Sequence, residues 1–291
     1  MITSRSTTRP ETALIIPVHN RRDHTLACLN SLGRVEKPRF SAIIVDDGSS
    51  DGTAGEVKSR FPDVTILRGE GNLWWAGAVN LGIRYALEKE YRFIGLVNND
   101  NTFAPDFLEN LMACLRQSGA EAACSRVINR RTGDLFFGGG ILHPLRGLRM
   151  KPGKGDPPGD LPRETTWCGG MGVLFKAEVF RIMGLFDEKK FPQYYADADF
   201  CLRLRYRGGR LMYCPAAVVT NNPDSTGVSH RSGEWADLGA TLLTRRSHLN
   251  LVSTWRFYFR HGPWLLFPLL PARILRVCGG FLRQRLRRRK E

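Results

Sequence analysis

Missing from this sequence is any apolar run near the ~20 residues that a membrane-spanning helix requires. Missing too are a leader-like apolar stretch between Met1 and Glu11, any internal repeat, and any two cysteines spaced as C-x-x-C. These absences argue against an integral membrane protein, a chain led by a signal peptide, a repeat architecture and a cysteine-rich metal module. The seven cysteines, Cys28, Cys114, Cys124, Cys168, Cys201, Cys214 and Cys278, fall in several cases within apolar periodic segments. They read as buried free thiols in a reducing compartment, although one disulfide stays compatible with the count. The expectation is a cytoplasmic protein.

Carboxylates are scarce beside the cations: 28 Asp and Glu stand against 43 Lys and Arg, a formal charge of +15. So basic a chain is drawn to polyanions. Between Arg273 and Glu291, eight basic residues and one acidic residue supply +7 of that charge. In the same region Ile274, Leu275, Val277, Cys278, Phe281, Leu282 and Leu286 recur at helical spacing, interleaved with Arg273, Arg276, Arg283 and Arg287. Prolines at 268 and 271 interrupt its start. A monotopic helix lying on an anionic membrane surface fits this pattern, and so does a terminal helix docked on the protein's own core. No nucleic-acid-binding motif accompanies the charge, so no nucleic-acid partner is expected.

The first hundred residues alternate between short apolar runs and helix-like stretches. The runs are Ala13–Val18, Ala42–Val45, Val64–Leu67 and Phe93–Val97, and the helices are expected near Asp23–Leu32, Thr53–Arg60 and Ala76–Leu87. That alternation predicts an α/β fold with a mostly parallel sheet flanked by helices. Polar clusters stand where the runs stop: His19-Asn20, the segment from Asp46 to Gly52, and Asn98-Asn99-Asp100. Strand C-terminal ends are where open α/β sheets bind ligands, so the three clusters are expected to share one crevice. From about Arg126 to Thr165 the chain turns rich in Gly, Pro, Arg and Lys. An irregular excursion is expected there, serving a phosphorylated acceptor or standing as a solvated loop.

Three motifs in order, Ile16-Pro17-Val18-His19-Asn20-Arg21, Val45-Asp46-Asp47-Gly48-Ser49 and Asn98-Asn99-Asp100, resemble the family 2 glycosyltransferases. Gly71-Asn72-Leu73-Trp74-Trp75-Ala76-Gly77-Ala78-Val79-Asn80 is similar to the branch holding bacterial rhamnosyltransferases, and the resemblance covers most of residues 12–230. It implies a GT-A fold with a Rossmann-like sheet and a C-terminal helical extension. It divides the chain into a catalytic domain at 12–230, with a nucleotide-sugar half at 12–115 and an acceptor half at 116–230. Residues 231–291 would then form a helical region ending in the membrane-associating tail.

By the same resemblance Pro17, Asn20 and Asp47 line the nucleotide pocket, with Asp47 facing the base, while Asn72, Asn80 and Asn99 lie near the diphosphate sugar. Asn98-Asn99-Asp100 takes the place of a metal-binding D-x-D motif in which the first acid has become asparagine, leaving Asp100 as the carboxylate for Mg2+ or Mn2+. One carboxylate with phosphate oxygens and waters is an ordinary magnesium arrangement. His230 follows where the family often returns a histidine to the metal. Trp74 and Trp75 read either as core packing or as a sugar-stacking wall.

In the second half, Trp167-Cys168-Gly169-Gly170-Met171-Gly172 precedes Tyr194-Tyr195-Ala196-Asp197-Ala198-Asp199-Phe200. The family draws its catalytic base from an acidic pair beginning a helix, and aligning on the following residues puts Asp197 at that position with Asp199 as its supporting neighbour. An inverting transfer needs a carboxylate near the acceptor hydroxyl to take its proton. The bland reading of Asp197 is a helix N-cap. Together these expectations describe an inverting hexosyl or deoxyhexosyl transferase. It would use a UDP- or dTDP-sugar and a lipid-linked glycan acceptor, at the inner face of the cell membrane. Two other classes compete. A nucleotidyltransferase would need glycines after the first strand, where Val18-His19-Asn20-Arg21 stands. A pseudoenzyme that binds nucleotide sugar or glycan without turnover is suggested by Asn99 and Ala196.

Overall fold

The computed structural model describes residues 10–143, 147–150, 160–222, 239–240, 242–245, 247, 249–262, 275, 278–279 and 281. Four apolar runs form the parallel half of one sheet: β1 (Thr12–Val18), β2 (Phe40–Asp47), β3 (Thr65–Gly69) and β4 (Phe93–Leu96). Their spatial order is β3-β2-β1-β4, all parallel. Parallel strands need crossovers, and α1 (Arg22–Leu32), α2 (Thr53–Arg60) and α3 (Trp74–Glu88) supply them. The Ala, Leu, Ile and Val side chains of β1 and β2 face helices on one side or the other, so nearly all of them are buried.

Beyond β4 the sheet changes character. After β5 (Asn101–Phe103) and α4 (Phe107–Ser118) come β6 (Ala122–Asn129), the short strand β7 (Leu135–Phe137), the hairpin pair β8 (Ile141–His143) and β9 (Gly147–Arg149), and β10 (Arg163–Glu164). Strand β11 (Val173–Lys176) then inserts antiparallel between β4 and β6, after which follow α5 (Ala177–Met183), α6 (Ala196–Tyr206), β12 (Leu211–Asn221) and α7 (Leu251–His261). Strand β12 lies parallel to β6 and antiparallel to β5 and β10.

The expected irregular excursion at 126–165 is corrected in its described part. It is built of β-structure, and glycines make this possible. A Cβ at Gly139 would meet the Tyr213 side chain at 2.8 Å, and one at Gly140 would collide with the Trp167 indole. Residues 151–159, with most of its basic Gly-Pro run, lie outside the described residues.

Phe175, Phe180, Phe186 and Phe200 pack ring on ring, with centroids 4.7–6.1 Å apart, and join α5 and α6 to β11. Burying each such ring contributes about 1.5–3 kcal/mol. No cysteine is oxidised, and Cys28, Cys114, Cys124, Cys168, Cys201 and Cys214 are buried. Among the described residues no helix is long and apolar enough to cross a membrane.

Candidate active site

The three polar clusters do meet at the C-terminal edge of the parallel strands. The Asn20 amide donates to Ser49 Oγ at 2.7 Å, Ser50 N donates to Asn20 Oδ1 at 3.0 Å, and Arg22 N donates to Asp51 Oδ2 at 2.8 Å. Asn20 and Arg21 both take left-handed backbone, with φ of 59° and 64°. Trp74 and Tyr195 do the same at 58° and 70°. Non-glycine residues held in this region cost of order 1 kcal/mol or more each, and such strain gathers at functional sites. Pro17 sits one position before the end of β1, half-buried, in register with Val45.

Asp47 is 5% exposed, and its carboxylate collects three backbone amides: Gly71 N at 2.7 Å on Oδ1, Leu73 N at 2.9 Å and Trp74 N at 3.1 Å on Oδ2. It therefore fixes the start of α3 and the left-handed turn at Trp74. A carboxylate offers about four acceptor positions, so one remains for a ligand N–H. Its neighbour Asp46 takes Ser49 N on Oδ1 at 2.9 Å, while its buried Oδ2 has no hydrogen-bond partner among the described residues. The two adjacent acids point to opposite faces of the strand, and sequence reading had singled out only the second.

Asn72 is exposed on the loop before α3. Asn80 departs from expectation. It is 1% exposed, its Nδ2 donates to the Phe186 carbonyl at 2.9 Å and to Glu188 Oε2 at 2.6 Å, and its Oδ1 accepts from Phe186 N at 3.0 Å. Both amide protons are used, so Asn80 is an internal clamp between α3 and the 186–188 turn and not a phosphate contact.

At the third cluster, Asn98 Oδ1 accepts from the Trp75 indole Nε1–H at 3.1 Å, and Asn99 donates to Thr25 Oγ1 at 3.1 Å. Asn99 is thereby turned toward α1. Trp75 is packed edge-on against Phe186 at 5.6 Å and against Gly170, where any Cβ would strike its ring. Asp100 has an almost fully buried side chain, with Asn221 Nδ2 on Oδ1 at 3.1 Å and Arg21 Nη1 3.6 Å from Oδ2. Arg21 also faces Tyr194: burial raises the Tyr194 phenol while the nearby guanidinium pulls it down. Both stand inside motifs quoted from the sequence, but neither was given a role there, because a motif does not show which carboxylate an Arg or which cation a Tyr will face.

The second half of the chain closes on this edge through backbone contacts. Trp75 N donates to Gln193 Oε1 at 3.2 Å and Ala76 N to the Pro192 carbonyl at 2.8 Å. Four residues beyond Gln193, at the start of α6, stands Asp197. Its Oδ1 accepts from Ala198 N at 2.8 Å, and its Oδ2 would lie 3.7 Å from a Cβ on Gly169. Desolvation pushes its carboxyl up to about 6, against backbone hydrogen bonds from Ala198 and Gly170 that pull the other way. A part-buried carboxylate poised near neutrality has the property a general base needs.

Asp199, expected as the supporting neighbour of Asp197, is held among groups of α6 and α7. It is fully buried, with Arg260 Nη1 at 2.7 Å and His261 Nε2 at 2.8 Å on Oδ1 and Arg203 Nε at 2.9 Å on Oδ2. Burial alone would raise its carboxyl, but the hydrogen bonds with His261 and Arg260 and the adjacent Arg203 charge hold it below the usual range. It locks α7 onto α6. One residue separates Asp197 from Asp199, which on a helix turns the two side chains about 200° apart, one toward the crevice and the other into the core.

The divalent cation can be tested against these residues. Among the described residues no group of three or more His, Cys, Asp or Glu is arranged to hold a metal. Asp100 stands as a single carboxylate, and its hydrogen bond from Asn221 orients it. One such ligand suffices for Mg2+ or Mn2+ that keeps waters and binds substrate phosphates, so the residues fit a metal brought in with the donor. His230, the other expected ligand, lies outside the described residues.

Comparison with known proteins agrees with this architecture. A dTDP-rhamnosyl transferase of Shigella flexneri is 27% identical over 175 residues, 60% of this chain and 57% of that protein. An N-acetylglucosaminyl-diphospho-decaprenol L-rhamnosyltransferase of Mycobacterium tuberculosis is 27% identical over 286 residues, 80% of this chain and 90% of that protein. The chain thus spans little more than half of the first relative and most of the second. In structure it is similar to a mannosyltransferase of Pyrobaculum calidifontis solved with GDP-Man and Mn2+, with a TM-score of 0.58 at 18% identity over 92% of this chain and 70% of that one. This likeness shows the GT-A fold. The family model described as Glycosyl transferase family 2 matches residues 13–181, and this chain belongs to that family.

Proposed function

We propose that this glycosyltransferase moves a hexosyl or deoxyhexosyl group, with inversion, from a UDP- or dTDP-sugar to a growing lipid-linked glycan. The observation that carries the reading is Asp197, a part-buried carboxylate whose pKa is raised to about 6 at the start of α6, beside Gly169 and Gly170. Asp197 takes the proton of the acceptor hydroxyl as that oxygen attacks the anomeric carbon. Gly169 leaves its backbone open beside Asp197 Oδ2, whereas the space at Gly170 is taken by the Trp75 ring. Rhamnosyl transfer is named for two similar proteins, which favours a deoxyhexosyl donor.

The donor is assigned to the edge built by Pro17, Asn20, Asp47 and Asn72, with the diphosphate beside Arg21, Asn98 and Asp100. Asp100 would hold a divalent cation, which neutralises charge on the departing nucleoside diphosphate. Arg21, whose guanidinium faces the same carboxylate, adds a fixed positive charge there. Residues 12–230 form the catalytic unit in this reading, with 12–115 as donor half and 116–230 as acceptor half. Residues 231–291 contribute a basic membrane-associating region that places the enzyme at the inner face of the cell membrane.

The test is a thermal-shift and hydrolysis screen of UDP-, dTDP- and GDP-sugars with Mg2+ or Mn2+, using wild type, Asp100→Ala and Asp197→Ala. Stabilisation by one nucleotide sugar with metal, lost in Asp100→Ala, is expected. Donor hydrolysis should vanish in Asp197→Ala while binding persists. If no nucleotide sugar binds with either metal, the reading is overturned.

A further inference from the structure

Trp75 links the two halves of the crevice through the rim of its indole. Its Nε1–H donates to Asn98 Oδ1 at 3.1 Å, and Asn98 stands two residues before Asp100. Next to that nitrogen on the same rim, a Cβ on Gly170 would strike Cζ2 and stand 3.1 Å from both Cε2 and Cη2, the geometry of an approach in the ring plane. Gly170 in turn donates its backbone N–H to Asp197. One edge of the indole thus spans from the Asn98-Asn99-Asp100 cluster to the loop that holds Asp197. Asn98, Trp75 and Asp197 each keep part of their surface open, so this span faces the crevice.

The backbone fixes the ring as well. Asp47 receives the amides of Leu73 and Trp74, Trp74 takes left-handed backbone at φ 58°, and Trp75 N donates to Gln193 Oε1 at 3.2 Å. Phe186 meets the indole at 77° with centroids 5.6 Å apart, so it covers at most one of the two ring faces. Trp167 shows the other use of a tryptophan in this fold: it is 7% exposed and packs against Phe137 in the core.

We infer that the indole of Trp75 is the wall against which the donor's transferred sugar lays its C–H face, and that it determines how tightly that sugar is held. The inference rests on the transferase reading proposed above and names a specificity-determining residue for it. In that reading the diphosphate lies beside Asn98 and Asp100, and Asp197 is the base. The anomeric carbon then stands between the two, over the span that the indole edge bridges. In an inverting transfer the attacking hydroxyl and the departing phosphate lie on opposite sides of that carbon, so the donor sugar, not the acceptor, runs alongside the ring. A pyranose presents C–H groups on its faces and hydroxyls at its rim. An indole covers such a face and leaves the hydroxyls to polar groups around it.

The experiment is calorimetric titration of the full chain with Mn2+, comparing dTDP with dTDP-rhamnose and UDP with UDP-glucose, for wild type, Trp75→Ala and Trp75→Phe. Thermal melting reports on the fold of each. In Trp75→Ala the nucleotide sugar is expected to weaken roughly tenfold relative to its own nucleoside diphosphate, with diphosphate affinity unchanged. Trp75→Phe, which keeps a ring but loses the N–H to Asn98, is expected to recover most of that ratio. A packing role alone would weaken both ligands together or neither, so an unchanged ratio in Trp75→Ala overturns the inference. Should that variant fail to fold, saturation-transfer NMR on wild type decides: irradiation of aromatic protons is expected to reach the sugar C–H protons of the bound nucleotide sugar, and no transfer to them overturns the inference. Wild type that binds neither diphosphate overturns the transferase reading and this inference together, whereas diphosphate binding with an unchanged ratio overturns this inference alone.

Discussion

The guanidinium of Arg260 reaches the buried carboxylate of Asp199 at 2.7 Å, across the junction of α7 and α6. His261 and Arg203 complete the cage around that carboxylate. Through this contact a helix far along the chain sets the position of the helix whose first turn carries Asp197.

Removing Asp199 strands the Arg203 and Arg260 guanidiniums at the junction. Breaking one side of a buried ion pair costs about 3–5 kcal/mol, so Asp199→Ala is expected to lower stability by that order in urea denaturation. Because its carboxyl is held below the usual value, the stabilisation is complete above pH ~4 and is lost only as pH falls through the lower folded-state pKa. The difference between wild type and variant should therefore shrink as pH falls below about 4.

Asp197 has the opposite sign. Its folded-state pKa of about 6 lies above the 3.8 of an unperturbed aspartate, so the folded state binds a proton that the unfolded state releases, and ionisation costs stability as pH rises through that window. Asp197→Asn is expected to raise stability at pH 7.5 by up to about 3 kcal/mol and to leave it unchanged near pH 3. Transfer activity should be abolished, and in wild type it should fall tenfold per unit as pH drops below about 6. Paired melting and activity profiles check both.

Asp47 holds three amides at the start of α3 with its two oxygens. Hydrogen bonds to a charged acceptor contribute about 1.5–3 kcal/mol. Asp47→Ala should therefore weaken the fold by at least ~1.5 kcal/mol and loosen the 71–74 segment, with hydrogen exchange rising there. Nucleotide affinity should fall with it.

Arg21 supplies a charge independent of metal. In calorimetric titrations with UDP in EDTA, Arg21→Ala should bind at least about tenfold more weakly than wild type, and Arg21→Lys should recover part of the difference. Asp100→Ala should leave binding in EDTA undiminished and remove the gain on adding Mn2+.

The parallel half of the sheet was legible in the sequence because short β-branched runs such as Ile43-Ile44-Val45 alternate with helix-like stretches and polar clusters mark where they stop. The convergence of Asn20, Ser49 and Ser50 followed from that topology alone. The motifs that name the family likewise stand in the sequence, as does Asp197 at a helix start. Residue pattern alone did not separate the members of each acidic or amide pair; the choice of Asp47 and Asp197 came from the family resemblance. Asp46 from Asp47 and Asp197 from Asp199 differ only in the side of the backbone they leave, and Asn80 faces Phe186 and Glu188, which lie over a hundred residues away. The partners of α7 were equally hidden, since Arg260 and His261 meet Asp199 only after the whole catalytic domain has folded. Local pattern fixes period and burial. The pairing of charges across distant segments, and with it the neutral-range pKa of Asp197, arises only when tertiary packing removes water from that carboxylate.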